Sequence, residues 1–220
     1  MASPCSVYIE SGTKKVFACA YDWPGWCRGG KNEPAALAAL ESTTRRYQLI
    51  ADLAGVDFDV EGFEVCDRIA GSSTTDFGVP AVVTEVDRRP LGGDQAARLA
   101  TLVEATWTAL DLVYARAPTE LRKGPRGGGR NRDAIYGHVL GAEVMYARKL
   151  GIKLQEPAIT DRDAIAELRQ SIRAVLAAPS SGQPLLEGGW VPAYAARRIG
   201  WHVIDHAWEI EDRMEPSSAT

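Results

Sequence analysis

Histidine is the scarcest chemically useful residue in this sequence: 220 residues carry three, at positions 138, 202 and 206. Lysine is sparse as well, supplying only six of the 25 basic residues. No stretch approaches eighteen uninterrupted apolar residues, which argues against a helix that spans a membrane. The segment Met1 to Lys15 lacks a basic start followed by a long apolar run, so it predicts no secretory signal and a cytoplasmic protein. A basic excess is missing too. Residues 1–90 hold nine basic and thirteen acidic side chains, residues 91–220 hold sixteen of each, and the net charge is -4. A general nucleic-acid binder concentrates cations in at least one domain, so nucleic acid is not an expected partner. Cys5, Cys19, Cys27 and Cys66 include no pair at CxxC spacing, so a thiolate zinc site is not expected. In a reducing compartment they read as small buried apolar side chains.

What is present is ordinary for a globular chain, with 45% hydrophobic and 25% charged residues. The length suffices for two small domains, each with a core. Cys5 to Glu10 alternates, the turn-like Ser11-Gly12-Thr13 follows, and Lys15 to Tyr21 completes an expected hairpin. The run Asp22-Trp23-Pro24-Gly25-Trp26 ends the second strand in a Pro-Gly turn. Trp23 and Trp26 either line a ligand surface or pack on the helix that follows. That helix has Asn32 as its N-cap, apolar residues at Leu37, Leu40, Tyr47, Ile50 and Leu53, and its end at Gly55. Gly62 to Ile69 and Val79 to Val86 read as two further extended pieces. The breaker Arg89-Pro90-Leu91-Gly92-Gly93 then marks a boundary, giving an α+β domain over 1–90 and a second domain over 91–216.

Strand signals fade beyond that boundary. Helical spacing predicts segments over about 94–116, 131–150, 161–177 and 192–213, bounded by Pro118, Gly151, Pro179 and Pro216. Four helices with these connections predict an all-α, up-and-down four-helix bundle.

His202 and His206 are four apart, so on a helix their rings leave one face one turn apart, the spacing at which two imidazoles bind one metal. His138 lies on a different predicted helix, and no surplus histidine dilutes the coincidence. Three imidazoles leave coordination positions open, as in catalytic zinc sites. The alternative is a hydrogen-bonded core pair. The wheel places Arg198, His202, Asp205, His206, Glu209 and Arg213 on a narrow polar stripe of an otherwise apolar helix, expected to face an enclosed pocket. Glu209 is the candidate catalytic group, open to four readings: fourth ligand, general base, outer acceptor for a histidine, or a carboxylate paired with arginine. Asp205 suits an outer role. Asn131, Ala142, Met145 and Lys149 share the face of His138, with Met145 read as packing. The basic, glycine-rich stretch Arg122 to Arg132 leads into the helix bearing His138. It reads either as a flexible solvated loop or as an anion clamp, with Arg130, Arg132 and Arg198 as candidate substrate-binding residues.

A helix with Asn131-Arg-Asp-Ala-Ile-Tyr-Gly-His138 and a later helix with Trp201-His202-Val-Ile-Asp-His206 resemble the DinB/YfiT-like four-helix-bundle metalloproteins over about 120 residues. The resemblance implies that His138, His202 and His206 bind a divalent ion, zinc first and nickel as the alternative. It also implies a low-molecular-weight thiol such as mycothiol as co-substrate, in a transferase or isomerase acting on a small molecule. A metal-dependent hydrolase and a non-catalytic metal-binding interaction protein are the competing functions. Neither nucleic acid nor membrane is an expected partner, and a homodimer is open to test. The first domain, with its hairpin, Asp-Trp-Pro-Gly-Trp-Cys and Asn-Glu-Pro-Ala-Ala-Leu, resembles small HicB-like units over about fifty residues.

Overall fold

The computed structural model describes residues 3–123 and 128–214. The expected end at 216, and residues 124–127 of the basic loop, lie outside the described residues.

The expected hairpin forms. β1 (Ser3–Ser11) pairs antiparallel with β2 (Val16–Ala20), from Ser11 opposite Val16 to Val7 opposite Ala20. The Pro-Gly turn returns the chain as β3 (Cys27–Gly30), a strand not anticipated because it is only four residues long and two of them are glycines. β4 (Val60–Ala70) lies parallel on the other side of β1, giving the mixed order β3-β2-β1-β4. The helix expected over 32–55 is two: α1 (Glu33–Ser42) and α2 (Thr44–Ala54). The break sits at Thr43, whose hydroxyl donates to the Leu40 carbonyl and accepts the indole N–H of Trp26. Asn32 caps α1 as expected, and Gly55 ends α2 with positive φ.

Val79 to Val86 forms no strand. Its backbone turns to a side chain instead: the fully buried Glu10 carboxylate accepts the N–H groups of Ala81 and Val82 and the hydroxyl of Thr75 in the short α3 (Ser73–Phe77). A charged acceptor thus replaces the ladder partner that a strand would need.

The helical part matches the expected segments closely, as α4 (Gly93–Arg116), α5 (Arg132–Lys149), α6 (Arg162–Leu176) and α7 (Pro192–Arg213). All four contribute to one apolar core, including Leu110 and Val113, Val139 and Leu140, Leu168 and Ile172, and Ile199 and Val203. Beneath the sheet a second core joins Val7, Ile9, Trp26, Leu40 and Tyr47 to Leu102 of α4 and to Ile204 and Trp208 of α7. On the opposite sheet face Tyr8, Phe17, Cys19 and Cys27 pack on Trp201. Alternation along β1 produces these two faces. Trp23 and Trp26 are therefore packing residues, Trp26 stacking on Tyr47. Cys5, Cys19 and Cys27 are buried as expected, whereas Cys66 is exposed on edge strand β4.

α7 is fixed against the sheet by two devices. Gly25, at φ 90, and Gly200 bring two backbones together: a Cβ on Gly25 would lie 2.6 Å from the Gly200 carbonyl carbon, and one on Gly200 would lie 3.0 Å from that of Pro24. Three residues earlier, Arg197 is buried and donates to both oxygens of Asp87 and to the Tyr8 hydroxyl. Gly200→Ala is expected to cost about 1–3 kcal/mol by overpacking. Asp87→Ala, which strands a buried guanidinium, is expected to cost about 3–5 kcal/mol. Urea denaturation of both variants beside the wild type checks the two values.

Candidate metal centre

Three apolar cores surround α7. Ile199, Val203 and Ile210 enter the helical core, Ile204 and Trp208 the core beneath the sheet, and Trp201 the opposite sheet face. Arg198, His202, His206, Glu209 and Arg213 belong to none of these cores and form a narrow strip along one side of the helix. α5 faces this strip. Its start is set by Asn131, whose side chain accepts the Ala134 N–H, and His138 follows in the second turn.

The two helices bring the three imidazoles together. His138 Nε2 and His202 Nε2 are 3.3 Å apart, and one ring nitrogen of each histidine lies within 4.8 Å of the others. Two nitrogens bound at about 2.0–2.1 Å to a tetrahedral ion stand about 3.3 Å apart. The first pair already has the spacing that a shared ion demands, and the three residues are close enough to bind one. His206 Nδ1 is bonded to Glu209 Oε2 at 2.8 Å, which leaves its Nε2 for a metal.

Electrostatics favour neutral rings. Burial, then the charges of His206, Arg198, His138 and Arg130, push His202 down to about 2. Burial and Arg130 also lower His138. Neutral imidazole is the form that ligates, so protons compete weakly at these two rings. The donor set therefore fits a divalent ion. One atom is left over: His202 Nδ1 is buried without a hydrogen-bond partner.

The other expected residues divide. Glu209 accepts from His206 through Oε2 and from Arg213 through Oε1 at 2.9 Å, so both oxygens are engaged, and the His206 bond is the first cause of its lowered pKa. This is the geometry of a residue that orients a ligand. Arg198 lies 4.7 Å from the Trp201 ring and 5.3 Å from that of Tyr146, with its NH1 buried and unpartnered. Arg130 is exposed, and its charge acts on His138 and His202. Arg132 is not brought to the site: it packs 4.4 Å from the Tyr114 ring and donates to Asp133 and the Ala117 carbonyl. Asp205 points to the sheet, accepting from Arg28 at 3.0 Å.

The expected enclosure does not form, because His138 is exposed and the centre opens to solvent on its side. Met145 is 64% exposed, and the ring beside His202 is that of the next residue, Tyr146, at 5.7 Å. Tyr146 in turn contacts Trp190 at 5.1 Å. No spacing rule would have selected either aromatic.

Zinc loading followed by elemental analysis is expected to give about one ion per chain for the wild type and a near-complete loss for His202→Ala. Glu209→Gln keeps the site but frees His206, and competition with a chelator should read an affinity roughly 10–100-fold weaker. Comparison with protein-family models, with curated proteins and with solved structures finds no match to this chain.

Proposed function

We propose that α4 to α7 form an up-and-down four-helix bundle of the DinB-like type, and that the chain is a divalent-metal-dependent enzyme acting on a small molecule. Zinc is the first choice of ion and nickel the alternative, with a low-molecular-weight thiol as co-substrate in a transfer or isomerisation. The observation that carries the reading is the convergence of three imidazoles at a place where His138 meets solvent. A purely structural site closes its coordination sphere with a fourth side chain. Here the nearest carboxylate, that of Glu209, is already bonded to His206 and Arg213.

When bound, a divalent ion supplies Lewis acidity that lowers the pKa of a thiol or water at the open position. The chain's own residues do the rest. His138, His202 and His206 hold the ion, and Glu209 fixes the ring of His206. Arg198 has no carboxylate partner among the described residues, and Tyr146 and Trp201 hold its guanidinium beside His202. It binds the anionic group of the substrate. Arg130 adds cationic charge at the open side, and Tyr146 walls the site beside His202.

Cobalt substitution tests the reading. Titrating the cobalt protein with mycothiol, and separately with bacillithiol, is expected to bring up a sulfur-to-cobalt charge-transfer band. Arg198→Gln should keep the metal while weakening binding of an anionic thiol by about 10–100-fold, the worth of a charge-assisted hydrogen bond. A spectrum that neither thiol changes would falsify the thiol-dependent activity. If exchange of bound water is also absent, the chain is a non-catalytic metal binder, and if water exchanges freely the hydrolase reading takes over.

A further inference from the structure

α2 and α4 leave an apolar groove open at the surface. α2 buries Tyr47, Ile50 and Ala51, but Leu49 and Leu53, one turn apart, stand outside at 61% and 45% exposure. Leu112 of α4 stands with them at 54%, and Ala109, Val113 and Trp208 help to form a groove of about 390 Å³. Three large leucines exposed in one patch are more than a scatter of single apolar residues. The same surface offers both a ridge, Leu49 and Leu53, and the hollow beside it.

The groove has a direction. Arg46 near the start of α2 and Arg116 at the end of α4 both bind Glu211, so the start of α2 lies beside the end of α4. Arg116 is 60% exposed and marks that end with a guanidinium available to a second partner. Asp52, near the other end of α2, is exposed and bonded only to Gln48 at 2.8 Å, with no cation beside it among the described residues. A two-fold axis through the leucines carries the Asp52 end of one copy onto the Arg116 end of another.

We infer that this groove is the interface of a homodimer, with a second copy of the chain as its occupant. The patch is apolar in its middle and carries opposite charges at its two ends, as an isologous two-fold interface requires. The imidazoles leave α7 on a different side from Trp208, so pairing keeps the metal centre open. The inference stands independently of the proposed enzymatic activity.

Sedimentation velocity of the full chain across the micromolar range tests it. A species of twice 23.8 kDa is expected, giving way to monomer on dilution. Leu112→Glu and Leu49→Glu change exposed positions, so both variants should keep the wild-type circular dichroism while weakening the dimer about 30-fold or more. Asp52→Arg and Arg116→Asp should each weaken it roughly tenfold, and the double variant should recover most of the loss. A monomer throughout the range overturns the inference, as does a dimer indifferent to Leu112→Glu. Failure of the double variant to recover overturns the two-fold pairing.

Discussion

The position of α7 depends on a contact between two backbones that only glycine permits. Gly25, in the turn between β2 and β3, rests against Gly200; a side chain on Gly25 would overlap the helix backbone, and one on Gly200 would press tightly on Pro24. Two residues after Gly200 comes His202, and one turn later His206. The sheet therefore sets the height of the two histidines without touching them. Arg197 adds a charged fastening five residues before His202. A displacement of α7 along its axis would break that pair and separate His202 from His138 together, so the spacing of the histidines and the packing of the sheet are one constraint.

Arginine does much of the joining in this chain, and aromatic rings are its usual seat. Arg98 stacks on Trp23, Arg46 and Arg28 on Trp208, and Arg197 on Tyr8. A planar guanidinium keeps its charge in such settings and still reaches a carboxylate. The buried Glu143 of α5 follows the same logic. Burial raises its pKa, while Arg169 of α6, 3.3 Å away and also bonded to Asp111 of α4, draws it back. That chain of charges links three helices at the level of their core.

The helical part was legible in the sequence almost to the residue, because period and stop signals agreed: Pro118, Gly151 and Pro179 each follow a run of helical spacing. The histidine cluster was legible for a different reason. Three residues of one type, two of them four apart, leave few arrangements on long helices. What could not be read depended on tertiary partners. Val79 to Val86 has the composition of a strand, yet its N–H groups found the carboxylate of Glu10, 71 and 72 residues away in sequence. Thr43 broke a helix because Trp26 needed an acceptor. The wheel placed Asp205 beside the histidines, but Arg28 drew it to the sheet, and Arg132 was taken by Tyr114 and Asp133. A polar residue near the edge of a stripe goes to whichever partner is close, and a wheel contains no partners.

The core beneath the sheet has an unusual order of assembly. Its first residues belong to β1 and β2, but Ile204 and Trp208, which close it, belong to α7. On the ribosome the sheet strands emerge well over a hundred residues before the helix that covers them. Through that interval Trp26, Tyr47 and their neighbours lack the apolar cover that α7 supplies in the folded protein. The helix that supplies this cover is the same one that carries two of the three histidines. Closure of the core and assembly of the histidine cluster thus fall at one moment of synthesis.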